Sequence, residues 1–149
     1  MAQKMSTGLC NKLLDTDCLV ALLALGFVRI FEGTAPATAD TAEAGTLLCE
    51  VSVNSTGTGV TWGPTAGGVT PGVLPKAAAE VWTGLILADG TAAYYRVVGA
   101  ADDGTLSTTQ PRIQGTVGVG GADMNLGTNV LVNGATFTLS YATQALVPS

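Results

Sequence analysis

The chain of 149 residues contains no histidine. Without histidine, the Ser-His-Asp and Cys-His systems that activate a nucleophile are impossible. The residue that most often binds zinc is missing as well. A Ser-Lys mechanism remains formally open, but the sequence has no SxxK motif. These absences predict that the chain is not an enzyme, has no catalytic residues, and holds neither a metal nor a cofactor.

Charge is scarce. Charged residues make up 11% of the chain, against roughly 25% in typical proteins. The six Lys and Arg residues are scattered from Lys4 to Arg112 and the net charge is −5, so the cluster of cations that releases counterions from a nucleic acid is missing. We therefore expect no nucleic-acid partner. A weakly charged surface fits either a subunit covered in an assembly or a free β-domain rich in Ala and Thr.

Long apolar runs are also missing. Residues 18–28 (CLVALLALGFV) are apolar, but a membrane span needs about 20 such residues. Asp15 and Asp17 precede this run, where a signal peptide would carry positive charge. The run is therefore interpreted as a buried helix followed by a buried strand, and we expect no membrane span.

Cysteine occurs three times, at Cys10, Cys18 and Cys49. The odd number and the spacing fit neither a disulfide framework nor a zinc site. Small buried thiols in a reduced compartment are one interpretation, and a disulfide formed on assembly is the other.

Two helices are predicted in residues 1–26. Ser6 or Thr7 fits the cap of the first helix, whose apolar stripe at helical spacing consists of Leu9, Cys10, Leu13 and Leu14. Thr16 or Asp17 fits the cap of a second helix, which we expect to run through Leu25 and to be covered on several sides.

Residues 27–141 are predicted to form strands. Segments 27–32, 47–53, 80–88, 91–98, 112–119, 129–132 and 136–141 are rich in β-formers. Asp89-Gly90 and Asn133-Gly134 favour tight hairpin turns between successive strands. The sequence therefore predicts one mainly β domain over residues 1–149, an antiparallel β-sandwich or jelly-roll-like barrel with one or two short N-terminal helices, and a C-terminal tail at 142–149.

Residues 54–72 are rich in Gly, Thr and Pro and are predicted as a long exposed loop, with one short strand near 60–62. Trp62 is expected to project from this loop beside Pro64. Together with the apolar stripe of the first helix, it predicts a protein interface formed by Leu9, Leu13, Trp62 and Pro64.

The remaining aromatic side chains and a pair of acids permit other sites. Trp82 is assigned to the core, and one of Tyr94 and Tyr95 should point outward because neighbours on a strand face opposite ways. The outward tyrosine and Trp62 are candidates for contact with a sugar or a protein. The pair at 102–103, followed by glycine, is interpreted as a turn rather than a calcium loop, because calcium needs six to eight oxygen ligands.

The chain resembles a family of small structural virion proteins of tailed bacteriophages. The resemblance rests on residues 6–9 (STGL), 31–40 (FEGTAPATAD), 45–48 (GTLL), 81–84 (VWTG), 90–99 (GTAAYYRVVG), 106–115 (LSTTQPRIQG) and 121–126 (GADMNL). It implies a virion protein made in the bacterial host cytoplasm, with no catalytic residues to carry over. The cysteines and the Gly/Pro segment at 63–75 depart from the family pattern.

From the residues and the resemblance together, we expect a non-enzymatic virion component that works through protein–protein contacts. A capsid decoration or cement protein is the first hypothesis, with the major capsid protein and copies of itself as partners. A neck- or tail-associated protein is the second, and a receptor- or glycan-binding module at the tail tip is the third. Copy number per particle distinguishes the three.

Overall fold

The computed structural model describes residues 3–63, 73–140 and 142–145. Helix α1 spans Thr7–Asp15 and helix α2 spans Leu19–Leu23. The strands are β1 (Lys4–Met5), β2 (Phe27–Glu32), β3 (Thr46–Val53), β4 (Val73–Pro75), β5 (Trp82–Leu85), β6 (Gly90–Val98), β7 (Arg112–Gly118), β8 (Met124–Asn125), β9 (Val130–Leu131), β10 (Thr136–Thr138) and β11 (Thr143–Ala145).

A nine-stranded sheet forms the body of the molecule. Its main path runs β1-β7-β6-β2-β3-β5-β10, with antiparallel neighbours throughout; β8 joins β7 in parallel and β9 joins β6. Within the described residues the path ends at β1 and β10 and does not close into a barrel. The prediction of a mainly β fold with two short N-terminal helices is confirmed.

A smaller layer covers one face of this sheet. Strand β4 pairs with β11, and the Gly63 amide donates to the Pro75 carbonyl at 2.8 Å, which ties residues 60–63 to the same layer. Side chains of both layers share one core cluster, including Val28 and Val97 from the sheet and Trp62 and Leu74 from the layer above it. This two-layered packing is the arrangement expected of a β-sandwich. Residues 143–145, predicted as tail, are a strand of it.

The opposite face of the sheet carries a buried polar cluster. All three arginines of the chain lie there, Arg29 on β2, Arg96 on β6 and Arg112 on β7. Arg112 pairs with Asp102, and both side chains are fully buried. Arg29 pairs with Glu43 at 2.9 Å and with Glu50 at 2.7 Å. The chain therefore places half of its cations inside the fold.

Residues 33–45 cover these arginines. Backbone carbonyls of Thr38, Ala39 and Asp40 accept hydrogen bonds from Arg96 and Arg112 at 3.3–3.4 Å. The Gln114 side-chain amide donates to the Pro36 carbonyl at 2.8 Å. Residues 36–40 (PATAD) thus cover the cluster with backbone carbonyls. These carbonyls are hydrogen-bond acceptors, which the N–H groups of a buried guanidinium require.

Helix α1 begins as the sequence predicts. The Ser6 hydroxyl oxygen accepts the Leu9 amide at 3.1 Å. It also accepts the Arg112 amide of β7 at 2.9 Å and donates to the Gln110 carbonyl at 2.7 Å. One hydroxyl therefore caps the helix and fastens it to the sheet.

Helix α2 is shorter than predicted. Ala24 is already extended, and Leu25 adopts a left-handed conformation with φ 57°. The chain must bend here because Gly26 lies against β6, where an added Cβ would come within 2.0 Å of the Val98 carbonyl oxygen. The sequence predicts that this helix is covered on several sides, but Val20 and Ala21 leave one side of it exposed.

The two predicted hairpins are absent from the described residues. Strands β5 and β6 flank Asp89-Gly90 but are separated in the sheet by β2 and β3. Strands β9 and β10 flank Asn133-Gly134, yet β9 pairs with β6 and β10 pairs with β5. Asn133-Gly134 is a turn between strands that pair elsewhere, whereas Gly90 already begins β6 and has no positive φ, so local turn chemistry did not identify the partner strand.

Candidate functional site

The four residues predicted to form an interface are not at one exposed surface. Leu9 is fully buried, Leu13 packs against the core, and Trp62 is 4% exposed; Pro64 lies outside the described residues. The expectation that Trp62 projects from a loop is wrong. Its segment pairs with residues 75–77, which turns the ring into the core edge-on to Trp82, with ring centroids 4.8 Å apart. A role for these residues in an interface stays a prediction.

Apolar side chains are exposed instead along β5, β9 and the residues that follow them. Leu85, Leu87, Val130 and Val132 are each more than half exposed; we call these four the apolar strand surface. They alternate with Ile86 and Leu131, which are buried in the core. Alternation places every second residue on the outer face, so each segment presents apolar residues on both faces.

The two segments of this surface are connected through residues 133–135. The Ile86 amide donates to the Ala135 carbonyl and the Gly134 amide donates to the Ile86 carbonyl, both at 2.9 Å. The Asn133 amide donates to the Asp89 carboxylate at 2.8 Å, which places one acid at the rim. The surface is therefore a hydrogen-bonded corner of the sheet and not a loose loop.

An open strand edge lies next to this corner. The Leu139 amide donates to the Trp82 carbonyl at 2.9 Å, and the Ala135 carbonyl accepts from Ile86. In an antiparallel ladder alternate residues bond to the same neighbour, so the backbone groups of Thr136 and Thr138 face away from β5. Among the described residues, no strand pairs with that outer edge of β10.

The expected outward tyrosine is absent, because both tyrosines are buried. Tyr94 faces the arginine side, stacks on Phe31 with centroids 4.8 Å apart, and hydrogen-bonds to Ala44. Tyr95 faces the other way and belongs to the core cluster. The segment 33–45 covers the face that the sequence leaves open, so an exposed platform of Trp62 and one tyrosine is not present in the described part of the chain.

The acid pair at 102–103 serves the fold. The Asp102 carboxylate pairs with Arg112 and accepts the Gly104 amide at 2.7 Å. Asp103 accepts the amide and hydroxyl of Thr105 at 3.0 and 2.7 Å. These contacts define a turn in which the acid at 102 is already neutralised by an arginine.

The cysteines divide into two kinds. Cys49 is buried, and burial together with the charge of Glu50 raises the pKa of its thiol to about 12. That thiol is therefore unreactive at neutral pH. Cys10 and Cys18 are exposed, so the prediction of small buried thiols is wrong for these two.

A cavity of about 280 Å³ lies between the two layers, near β1 and β8. Its apolar wall includes side chains from both layers and from β8, and its polar side chains come from four separate segments. The lining residues are Gln3, Val28, Trp62, Tyr95, Val97, Asp123, Met124, Asn125, Leu139 and Ala142.

Hydrogen bonds hold the polar residues of this cavity in place. Asp123 accepts the Thr116 amide and hydroxyl through Oδ2 at 2.8 and 2.9 Å. Asn125 bonds to the backbone of Ala122 at 3.1 and 3.0 Å. The Gln3 side-chain amide donates to the Tyr95 hydroxyl. Burial raises the pKa of Tyr95 to about 12, with the nearby Asp123 charge adding to it, so its hydroxyl keeps its proton at neutral pH.

The described residues contain neither a membrane-spanning helix nor a cluster of metal ligands. Neither helix is long and apolar enough to span a membrane, and no group of three His, Cys, Asp or Glu side chains in residues 3–63, 73–140 and 142–145 is arranged to hold a metal ion. Comparison of the chain with protein-family models, curated proteins and solved structures gives no match.

Proposed function

We propose that the chain is a structural subunit of a tailed-phage virion, acting through contacts between protein surfaces, in the first place as a capsid decoration protein. The observation that supports this proposal is the apolar strand surface. Contiguous exposed apolar residues on a small domain typically mark a site of association. The proposed partners are the major capsid protein and further copies of the chain.

The energetics of this surface favour association. Full burial of one Leu or Val side chain stabilises by about 1.5–3 kcal/mol relative to exposure, and these four side chains start more than half exposed. Covering several of them at once would therefore change a binding constant by more than about tenfold, which corresponds to about 1.4 kcal/mol. The outward backbone groups of Thr136 and Thr138 add hydrogen-bonding capacity beside them.

The proposal is tested by replacing two leucines of the surface and measuring incorporation into particles. The double variant Leu85→Ser/Leu87→Ser should keep its circular dichroism spectrum, because both side chains face outward. It should be incorporated at least about tenfold less than the natural chain. Leu106→Ser is the matched control, because Leu106 is exposed by 71% and lies outside the apolar strand surface; its incorporation should not change.

Quantitative mass spectrometry of purified particles tests the location. Hundreds of copies per particle are expected of a decoration protein, whereas a handful indicates the neck or tail. A chain missing from the particles, or a double variant incorporated like the control, contradicts the proposal.

A further inference from the structure

The cavity between the two layers has the features of a ligand site. Ligand sites are concave and largely apolar, with a few polar groups held in fixed orientations. Here Val28, Val97 and Leu139 provide apolar wall, while Asp123 and Asn125 are fixed by their own hydrogen bonds. Its volume of about 280 Å³ is at the lower end of the range for ligand pockets, about 300–1,000 Å³, and therefore suits a single ring.

The indole of Trp62 supplies a second, independent observation. Trp62 lines the cavity and is 4% exposed, and its Nε1 has no hydrogen-bond partner among the described residues. A buried donor without an acceptor destabilises a fold. The other buried tryptophan does have an acceptor, because Trp82 Nε1 donates to the Glu80 carboxylate at 2.7 Å. The unpaired N–H of Trp62 therefore indicates that a bound ligand supplies the hydrogen-bond acceptor.

The remaining polar atoms restrict the chemistry of that acceptor. Asp123 uses Oδ2 for Thr116, and Gln3 uses its amide nitrogen for Tyr95. Within the described residues Asp123 Oδ1 and Gln3 Oε1 make no hydrogen bond, so both oxygens are free to accept from donors on a ligand. The cavity lining includes no Lys or Arg, and the Asp123 carboxylate repels an anion. A simple cation has no acceptor for the indole N–H.

We propose that this cavity binds one neutral sugar residue. A sugar hydroxyl both donates and accepts, so a single ring satisfies Trp62 on one side and Asp123 on the other. The C–H face of the ring packs against the apolar wall. This inference does not depend on the proposed virion role, since the cavity lies within one copy of the chain.

The two tryptophans provide an internal control for the test. The purified chain is titrated with glucose, galactose, mannose and N-acetylglucosamine, and the indole N–H resonances are followed by NMR, assigned with Trp62→Phe. At least one sugar should shift the Trp62 resonance saturably, and should shift the Trp82 resonance much less. The 6-phosphate of that sugar should bind at least tenfold more weakly. No saturable shift of Trp62 with any of the four sugars up to about 100 mM, far above a millimolar Kd, overturns the proposal.

Three variants separate a ligand role from a structural one. Asp123→Asn should weaken sugar binding at least tenfold, whereas Asp103→Asn, the same change at an exposed turn, should leave it unchanged. Trp62→Phe should weaken binding, because the indole N–H is removed while an aromatic ring is kept in the core. If Trp62→Phe lowers the melting temperature and leaves sugar affinity unchanged, the indole N–H is not a ligand donor and the proposal is wrong. Incorporation into particles is measured separately, so either proposal can fail alone.

Discussion

At the scale of single residues, the Arg112–Asp102 pair places two of the chain's few charges in its interior. Both side chains are fully buried, and Arg112 also donates to the Thr105 carbonyl at 2.7 Å. Replacing such a pair with apolar residues of similar size changes stability little. Removing only one partner is strongly destabilising, because it leaves the other charge buried and unpaired. The pair connects the turn at 102–105 to strand β7.

Asp102→Asn should therefore be strongly destabilising. Leaving Arg112 without its counter-charge in a buried site should lower the unfolding free energy by about 3–5 kcal/mol, measured by urea denaturation. Asp103→Asn is the neighbouring control and should have a much smaller effect, because that side chain is exposed and Asn keeps an oxygen that can accept from Thr105. Equal effects at the two positions would show that Asp102 is accessible to water.

At the scale of elements, helix α1 is attached through one side only. Leu9 is fully buried and Leu14 is 89% exposed. Strand β1 just before the helix pairs with β7. Deletion of residues 1–15 would consequently remove core and sheet together, and loss of assembly in that variant would not identify an interface.

Point substitutions in α1 distinguish the two leucines. Leu9→Ala should cost about 2–5 kcal/mol, because it opens a cavity in the core. Leu14→Ala should change stability by less than about 0.5 kcal/mol. Thermal and urea unfolding of the pair measure the difference, and similar values for both would place Leu9 at the surface.

Glu80 joins the smaller layer to β5. Its carboxylate accepts the Thr61 amide at 2.9 Å and the Trp82 indole N–H at 2.7 Å. Burial by itself raises the pKa of Glu80, but the hydrogen bonds from Thr61 and Trp82 outweigh this effect and lower the pKa below its ordinary value of 4.5. A lowered pKa in the folded state stabilises the fold above the unfolded-state pKa, and that stabilisation is lost as pH falls through the folded-state pKa.

Glu80→Gln should accordingly reduce the melting temperature at neutral pH. The difference from the natural chain should shrink below about pH 4.5, where the carboxylate takes up a proton. Melting curves at several pH values provide the measurement, and a difference that is independent of pH would exclude the charged hydrogen bonds as its source.

Local features of the fold were predictable from the sequence. Ser6 as a helix cap follows from side-chain chemistry within three residues, and strand β2 follows from a run of β-formers. Strand partners did not follow, because Asn133-Gly134 specifies a turn and not the pairing of the strands on either side. At the other dipeptide Gly90 begins strand β6 and is not part of a hairpin turn.

The candidate sites were less predictable. Leu85, Leu87, Val130 and Val132 stand at alternate positions, a visible pattern, but the intervening Ile86 and Leu131 are equally apolar. Sequence alone therefore does not decide which face is outside. The burial of Trp62 depends on pairing with residues 75–77, and the cavity depends on six segments that meet only in the folded chain.

At the scale of the whole molecule, burial of the arginines removes half of the cationic side chains from the surface. The net charge is −5, and Arg96 and Arg112 are fully buried while Arg29 is largely so. Only the three lysines remain as cationic side chains toward solvent, and they lie on separate segments.

This charge distribution predicts that the chain does not bind nucleic acid. Phosphate binding depends on the number of cations that reach the backbone, so no mobility shift of duplex or single-stranded DNA should be seen even at about 50 mM salt. Binding that weakens with rising salt would contradict the assignment of the arginines to the interior.

The order of strands in the sheet also sets when folding can finish. The N-terminal strand β1 pairs with β7, while β9 and β10, near the other end of the chain, pair with β6 and β5. Pairings between distant segments carry a loop-closure cost and slow folding. Residues 130–138 must leave the ribosome before β5 and β6 gain their last neighbours, so the backbone edges of β5 and β6 stay uncovered until that part of the chain has emerged.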